Sequence, residues 1–172
     1  TEIVPDLRER DREARSDRAT LEKMGDAGML GISIPAKYGG SDTDYISLGI
    51  RCEELERADS TARVVMSVHS GLHSLTLMQW GTEEQKQAYI PKICSGEFAA
   101  GGFGLTEPGA GSDPSSMNTQ ATKDGDFYVL NGSKIFITSA PYAGVFVVWA
   151  VTDKEAPKGK GISCFLIEAG TP

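Results

Sequence analysis

The hydrophobic pattern of this chain changes its period near residue 97. From Glu2 to about Gly96 the apolar residues recur every three or four positions, which is typical of amphipathic helices. After Glu97 the sequence turns to short β-branched and aromatic runs that are separated by glycine-containing turns. The chain is therefore predicted to be an α+β protein, with an all-α helical domain over residues 1–97 followed by a β domain over 98–172.

Two helical segments are predicted before residue 58. The first carries a charged, solvated face and an apolar stripe that continues to Leu30. The second is predicted over 44–57, with Leu48, Cys52 and Leu55 on its buried side. Glycine and proline residues between the two segments predict a loop there.

Capping residues predict two more helices. Asp59-Ser60 can cap a third helix, which Trp80-Gly81 ends. The run 82–85 (TEEQ) fits a capping box and predicts the start of a fourth helix. Pro91 is expected to limit the length of that helix, and Ser95-Gly96 ends the region. The apolar stripe of the third helix is expected to consist of Val64, Val68, Leu72 and Leu75.

The second half of the chain is rich in strand signals. The predicted strands are 98–105, 118–123, 127–130, 134–138, 145–152 and 162–167. Asp124-Gly125 and Asn131-Gly132 supply the positive φ angles that tight hairpins require. These strands are therefore predicted to form the first part of an antiparallel β-barrel.

Composition excludes several classes of protein. Asp and Glu (24) outnumber Lys and Arg (17), so nucleic acid is not expected as a partner. No apolar run reaches the roughly 18 to 20 residues that a membrane-spanning helix needs, so no membrane association is expected. The three cysteines are far apart and show no C-x-x-C spacing. This favours a reducing compartment, either the cytoplasm or, in a eukaryote, the mitochondrial matrix.

The segment 103–114 combines glycines, prolines and hydroxyl side chains between two predicted strands. Its backbone can approach a ligand closely, with Thr106 and Ser112 as side-chain donors. Taken alone, the segment is better explained as a structural turn. No lysine follows it as in a phosphate loop, and it does not open a helix as a G-x-G-x-x-G motif does. A doubly wound nucleotide-binding fold is therefore excluded.

Residues 104–113 (GLTEPGAGSD) resemble the signature of the acyl-CoA dehydrogenase family. Three further matches occur in the expected order: 31–40 (GISIPAKYGG), 81–86 (GTEEQK) and 131–138 (NGSKIFIT). The resemblance thus covers nearly the whole chain, and four ordered motifs make coincidence implausible.

The resemblance implies an FAD enzyme that oxidises the α,β carbon–carbon bond of an acyl-CoA thioester. It also implies a homo-oligomer, specifically a homotetramer, and an electron-transfer flavoprotein as the electron acceptor. Phe136 stands where tryptophan is common in the family, and it retains an aromatic face for the flavin. The cofactor-binding residues implied by the motifs are Phe103, Leu105, Thr106, Gly111, Ser112, Phe136, Ile137 and Thr138.

The family's catalytic base is a glutamate in a carboxy-terminal helical bundle, and no residue here matches it. Glu107 is interpreted as a structural residue of the turn. The sequence stops inside the β domain of the family. We therefore expect this chain by itself to retain FAD weakly and to lack dehydrogenase activity.

Arg63 indicates a substrate class. The stretch 53–68 is similar to glutaryl-CoA dehydrogenases, in which the matching arginine binds the distal carboxylate of the substrate. By that resemblance Glu56 orients the arginine, Ser67 also matches, and Ser112 contacts the thioester or pantetheine end. A guanidinium group suits a carboxylate, so glutaryl-CoA or a related dicarboxyl-CoA is the expected substrate. The alternative is an ordinary surface arginine in a short-chain acyl-CoA dehydrogenase.

The sequence also allows other functions. His69 and His73 have the spacing of two metal ligands on one helix face, but no glutamate lies between them. They are interpreted as surface or pocket-adjacent residues, and no metal is expected. A non-catalytic module that binds flavin or acyl-CoA, and a flavin monooxygenase on the same fold, remain as alternatives. The loop ending at Ser112 favours the dehydrogenase, because it serves a thioester as well as a flavin.

Overall fold

The computed structural model describes residues 7–13, 15, 18–98 and 100–172, and in this part of the chain helices come first and strands follow. The helices are α1 (Leu7–Arg12), α2 (Arg18–Asp26), α3 (Tyr45–Ala58), α4 (Ser60–Ser67), α5 (Leu75–Trp80) and α6 (Glu83–Ser95), with a π-helix (Val68–Ser74) between α4 and α5. The strands are β1 (Ala100–Gly104), β2 (Gln120–Asp124), β3 (Phe127–Asn131), β4 (Ala143–Val151) and β5 (Ile162–Glu168). Short 3₁₀ helices occupy Ala36–Tyr38, Pro114–Ser116 and Ala140–Tyr142. The predicted α+β class is confirmed.

The predicted helix starts are confirmed by their caps. The Asp44 carboxylate accepts the Ser47 N–H at 2.8 Å, which satisfies a free amide at the start of α3. Asp59 ends α3 and also begins α4, where its side chain accepts the Thr61 N–H at 2.8 Å. The predicted capping box of α6 is present in full.

Two predicted helix ends are wrong. The first helical stretch is divided into α1 and α2 and ends at Asp26, because Gly28 takes a left-handed φ of 67°. Residues 1–6, 14, 16 and 17 of that stretch lie outside the described residues. Pro91 does not limit α6, which continues to Ser95. Ile90 and Ile93 on either side of Pro91 are fully buried, and this packing offsets the backbone hydrogen bond that proline cannot make.

The predicted apolar stripe of the third helix is also wrong in part. A π-helical turn holds more residues than an α-helical turn, so it rotates the buried face of everything that follows it. Leu72 is 43% exposed, whereas His69 and His73 are 1% and 0% exposed. The interpretation of these histidines as surface residues is therefore wrong, because the π-helix turns both side chains into the core.

The sheet is mixed and, within the described residues, does not close into the expected antiparallel barrel. β2 pairs with β3 and β4 pairs with β5 in antiparallel fashion. β1 runs parallel to β4, with Phe103 opposite Val147. The 38 residues that separate the end of β1 from the start of β4 include the β2–β3 hairpin and leave room for this parallel pairing.

One predicted strand and one predicted hairpin turn are absent from the described residues. Gly125 has a φ of 59° and closes the β2–β3 hairpin as predicted. Gly132 does not take a positive φ, and Asn131-Gly132 is followed by irregular backbone. The segment 134–138 is likewise irregular. It lies beside the loop after β1, to which the Ile135 N–H is bonded, and does not pair with a strand of the sheet.

Two apolar clusters hold the elements together. The first lies within the helical half, where Leu55 of α3 and Met66 of α4 pack on α2. The second joins Ile90 and Ile93 of α6 to Val145 of β4, and so ties the sheet to the helices. At the start of α4, the buried Arg10 guanidinium lies 3.3 Å from the Asp59 carboxylate. The first cluster and the Arg10–Asp59 pair thus hold the helices α1 to α4 together, and the second holds α5 and α6 against β4.

The buried histidines make stability depend on pH. Burial, with a smaller effect of His73, lowers the pKa of His69 from 6.5 to about 4. Between these values the unfolded chain binds a proton that the folded chain does not, so stability falls as the pH decreases from 6.5 toward 4. From pH 7 to pH 5 we expect His69 to remove about 2 kcal/mol from the free energy of unfolding.

Urea unfolding at both pH values measures this effect. In His69→Asn the amide nitrogen replaces Nδ1, which lies 3.1 Å from the Val65 carbonyl oxygen, and it does not titrate. The difference between pH 7 and pH 5 should therefore shrink by about 2 kcal/mol in the variant. A variant with the same pH dependence as the wild type would contradict the assignment.

Candidate functional site

Glu107 lies at the centre of the segment between β1 and β2. Its carboxylate accepts the backbone N–H groups of Asn118 at 2.6 Å and Thr119 at 2.9 Å. The Lys134 ammonium group donates to the same carboxylate at 2.8 Å and to the Leu105 carbonyl at 3.0 Å. The Lys134 and Glu107 side chains are only 11% and 4% exposed. We call this buried arrangement the Glu107 clasp; it joins the loop after β1 to the start of β2 and to the segment before β4.

The clasp keeps Glu107 ionised. Burial alone would raise the pKa of Glu107, but the hydrogen bonds from Asn118, Lys134 and Thr119 outweigh it and lower the pKa to about 2. Glu107 also opens a tight turn, in which its N–H and C=O both bond to Ala110 at 3.1 Å. A carboxylate held in this way is a poor proton acceptor, which agrees with its interpretation as a structural residue.

A second, exposed ion pair anchors the other end of the loop. Asp113 accepts hydrogen bonds from the Ser115 hydroxyl and, at 2.7 Å, from the Ser116 hydroxyl. Lys158, in the connection between β4 and β5, donates to Asp113 at 2.6 Å. The Lys158 bond is the largest cause of the lowered pKa of Asp113. Both ends of the segment that contains Ser112 are therefore fixed.

The structure brings the two predicted cofactor segments side by side. The Ile135 N–H donates to the Thr106 carbonyl at 3.0 Å. A Cβ atom added to Gly102 would lie 3.4 Å from the Ile137 side chain, so Ile137 packs directly on β1. The Phe103 ring contacts the Trp149 ring edge-on, with centroids 6.3 Å apart. Residues 103–106 and 135–138 thus form one continuous surface.

Phe136 departs from the strand geometry expected for it. Its φ is 56°, a left-handed value that is unfavourable for a bulky side chain, and its side chain is 89% exposed. Strain of this kind persists only where the surroundings impose it, and it is concentrated at functional sites. The backbone presents an aromatic ring outward beside Ile137 and Thr138.

The polar groups of this surface have capacity for a ligand. Within the described residues, the hydroxyls of Thr106, Ser112 and Thr138 have no hydrogen-bond partner. A Cβ atom added to Gly111 would meet nothing within 4 Å, and its φ is not left-handed. Packing therefore gives no reason for glycine at this position, whereas close approach of a ligand to the backbone does. An apolar, aromatic surface with free hydroxyls fits a planar heteroaromatic group such as a flavin.

Arg63 and Glu56 form the predicted pair beside α4. The Arg63 Nε donates to the Glu56 carboxylate at 2.5 Å, and the two side chains are 34% and 48% exposed. No described residue bonds the terminal nitrogens Nη1 and Nη2 of Arg63. Ser67 lies one helical turn after Arg63, and its hydroxyl donates to the Val64 carbonyl at 2.9 Å. Among the described residues, no hydrogen bond or ion pair joins Arg63 to Ser112.

A cavity connects α4 with the cofactor segment. It has a volume of about 320 Å³ and is lined by Thr61 and Val64 on one side and Thr138 and Tyr142 on the other. A larger cavity of about 630 Å³ opens between α1 and the junction of α3 and α4. Among the described residues that are predicted for the site, Glu56 lines this larger cavity. The smaller cavity is the one that adjoins the predicted flavin-binding segment.

Sequence reasoning missed the residues that fix the site. Lys134 is predicted only as part of the motif 131–138, in which it directly precedes the apolar residues 135–137. Lys158 and His73 carry no local signal, because their partners lie 45 and 29 residues away in sequence.

In the described part of the chain, no group of three or more His, Cys, Asp and Glu residues could hold a metal ion. No described helix is both long and apolar enough to span a membrane.

Removal of the Lys134 charge tests the clasp. In Lys134→Met the buried Glu107 carboxylate loses its counter-ion, and we expect the free energy of unfolding to fall by about 2–4 kcal/mol. Lys158→Met is the matched control, because it breaks an exposed lysine–carboxylate pair of the same loop, in which the side chains are 62% and 53% exposed. It should cause no measurable loss. Urea unfolding compares the two, and equal losses would show that the clasp has no special role.

Comparison with known proteins agrees with this geometry. Residues 1–97 match the model of the acyl-CoA dehydrogenase N-terminal domain, and residues 102–172 match that of the middle domain. The chain is 44% identical to a short-chain-specific acyl-CoA dehydrogenase of Clostridium acetobutylicum, over 98% of this chain and 44% of that protein.

Two solved structures are similar over the whole chain. A glutaryl-CoA dehydrogenase from Mycobacterium smegmatis in complex with FADH2 is 37% identical, with a TM-score of 0.92 over 100% of this chain and 42% of that one. A chain from work on the electron transferring flavoprotein of Acidaminococcus fermentans is 44% identical, with a TM-score of 0.94 over 99% of this chain and 44% of that one. The present chain thus spans less than half the length of these relatives. On its two domain matches and these identities, the chain belongs to the acyl-CoA dehydrogenase family.

Proposed function

We propose that the protein catalyses FAD-dependent α,β-dehydrogenation of an acyl-CoA thioester. The observation that supports this most directly is the surface formed by residues 103–106 and 135–138, which is apolar and aromatic and carries unpartnered hydroxyls. The 320 Å³ cavity beside it offers space for part of an acyl chain. A glutaryl-CoA dehydrogenase relative was solved with FADH2, which agrees with a flavin as the cofactor.

Each segment of the surface has a proposed role toward FAD. Phe103, Leu105 and Ile137 provide apolar contact, and Phe136 presents its ring to the isoalloxazine. Thr106 and Thr138 donate or accept hydrogen bonds at its polar edges, and Gly111 lets the loop backbone approach it. FAD, when bound, accepts the hydride that leaves the β-carbon. The surrounding side chains keep water away and hold the substrate in line.

The remaining chemistry concerns the α-proton of the substrate. By the family resemblance, this proton would pass to a glutamate base that no residue of the present chain matches. Its removal places negative charge on the thioester oxygen, and preorganised donors stabilise such charge. We propose that the Ser112 hydroxyl binds the thioester or pantetheine end and contacts the cofactor. Glu107 is not the catalytic base, because its carboxylate is engaged by three donors and its pKa is lowered to about 2.

Arg63 defines the proposed substrate class. Glu56 takes the Nε side of the guanidinium and holds it in one orientation, so the terminal nitrogens are presented together. Two parallel N–H groups match the two oxygens of a carboxylate. We therefore propose glutaryl-CoA or a related dicarboxyl-CoA as the substrate, with Ser67 contributing on the next helical turn. Short-chain acyl-CoA is the second candidate, and the 44% identity to a short-chain-specific relative favours it.

Partners and compartment complete the proposal. We propose an electron-transferring flavoprotein as the electron acceptor, since a similar chain comes from work on such a protein. Assembly into a homo-oligomer is proposed from the family resemblance. The free cysteines Cys52, Cys94 and Cys164 suit a reducing compartment, which we propose to be the cytoplasm or, in a eukaryote, the mitochondrial matrix.

Anaerobic titration tests the reaction in the whole flavoprotein that contains this chain, because the 172 residues by themselves are expected to retain FAD weakly. Addition of glutaryl-CoA or butyryl-CoA should bleach the visible flavin bands, because substrate oxidation reduces the flavin. A protein that binds no flavin, or a bound flavin that keeps its colour with every acyl-CoA, contradicts the proposed function.

Substitution of Arg63 tests the substrate class. In Arg63→Ala the kcat/KM for glutaryl-CoA should fall by about 30-fold or more, because a charge-assisted pair to the distal carboxylate is lost. The kcat/KM for butyryl-CoA, which has no distal carboxylate, should change far less. Arg57→Ala is the matched control, because Arg57 is an exposed arginine that pairs with Glu53 and Glu54 nearby on α3. Equal losses for both substrates in Arg63→Ala would rule out the dicarboxyl-CoA substrate and leave the short-chain candidate.

A further inference from the structure

One edge of β1 is covered by a histidine side chain. Within the described residues β1 pairs with β4 alone, so its other edge lacks a strand partner. That edge faces the π-helix, from which His73 reaches the Gly102 carbonyl with an Nε2–O distance of 2.8 Å. A buried carbonyl at a strand edge needs a donor, and His73 supplies it in place of another strand.

The fit between the imidazole and the strand is tight. His73 has no exposed surface, and a Cβ atom added to Gly101 would lie 2.7 Å from the Cγ, Cδ2 and Nε2 atoms of its ring. Glycine at position 101 therefore allows the ring to lie directly on the backbone of β1. No side chain larger than hydrogen fits there unless the ring moves.

The hydrogen bond fixes the tautomer of His73. A carbonyl oxygen only accepts, so the proton is on Nε2 and Nδ1 carries a lone pair. Nδ1 is buried and has no hydrogen-bond partner among the described residues. Burial lowers the pKa of His73, which keeps the ring neutral. The side chain thus acts as a directed, uncharged donor.

Its partner is the residue directly before Phe103. Gly102 is followed by Phe103, and the same strand leads into Leu105 and Thr106, which are the residues proposed to lie along the flavin. His69 provides an internal comparison, because it is equally buried on the same π-helix but bonds to Val65 on its own helical segment. Of the two histidines, His73 is the one that hydrogen-bonds the strand.

We infer that His73 is a positioning residue, which sets β1 against the flavin by holding the Gly102 carbonyl from the free edge of the strand. The inference rests on the proposed function. It assigns the buried histidine a role that the reaction chemistry itself does not require. His73 is fully buried and hydrogen-bonds the strand, so it acts through the strand.

The test compares donor-retaining and donor-lacking variants of the whole flavoprotein. In His73→Gln an amide nitrogen can take the place of Nε2, whereas His73→Met has similar bulk and no donor. We expect His73→Met to weaken FAD binding about tenfold and to shift the visible flavin spectrum, because the strand carbonyl is left unpaired. His73→Gln should stay within about threefold of the wild type and keep its spectrum. FAD affinity is measured by equilibrium dialysis and the spectrum by absorbance.

Control variants separate positioning from stability. His69→Met removes a buried histidine of the same helix, and it should lower the thermal midpoint without changing FAD affinity or the flavin spectrum. If His73→Met does not fold, His73→Asn replaces it, because its shorter amide cannot reach Gly102. Wild-type FAD affinity and spectrum in the donor-lacking variant would overturn the inference, as would an equal effect of His69→Met. A wild-type protein that binds no FAD would instead overturn the proposed function.

Discussion

The buried ion pair between Glu107 and Lys134 is the interaction on which the candidate site depends. An ionised carboxylate is costly to bury, and here three donors from two separate segments, residues 118–119 and Lys134, compensate that cost. The clasp therefore forms only when the loop after β1, the start of β2 and the segment before β4 are all in place. Because the acceptor and its donors lie on three segments of the chain, one carboxylate holds together the parts that shape the proposed flavin surface.

The helical half supports the same surface from its other side. The apolar cluster between α6 and β4 fixes the sheet against the helices. The π-helix brings His73 to the free edge of β1. The cap at Asp59 begins α4, which carries Arg63 and Ser67 past the smaller cavity. The proposed substrate residues thus lie on α4, which packs in the first apolar cluster, and the sheet that carries the proposed cofactor residues is held by the second.

Features with local causes could be predicted from the sequence. The capping box at Thr82, the cap at Asp44 and the hairpin at Gly125 each depend on a few neighbouring residues, and each is present. The π-helix (Val68–Ser74) could not be predicted, because its His73 bonds to a strand residue that lies 29 positions away in sequence. The parallel pairing of β1 with β4 was missed for a similar reason, since period-2 patterns do not reveal which strands become neighbours. The expectation that Pro91 limits α6 considers only the backbone hydrogen bond that proline cannot make, and not the packing of Ile90 and Ile93 around it.

The same division applies to the site. Its motif residues were identified by resemblance, and their adjacency depends on long-range bonds such as that from the Ile135 N–H to the Thr106 carbonyl. The exposed, left-handed Phe136 was expected on a regular strand, because its sequence context is apolar and β-branched. Residues that hold the site together, such as Lys134 and His73, act over distances that local patterns do not contain.

We expect the Glu107 clasp to shape the proposed flavin surface before FAD binds. Hydrogen–deuterium exchange at the amides of Asn118 and Thr119 measures this most directly, because these two N–H groups donate to Glu107. Both amides should exchange slowly in protein freed of FAD and change little when FAD is added. Exchange as fast as in an unstructured peptide until FAD binds would show that the cofactor builds the loop, and would contradict the account.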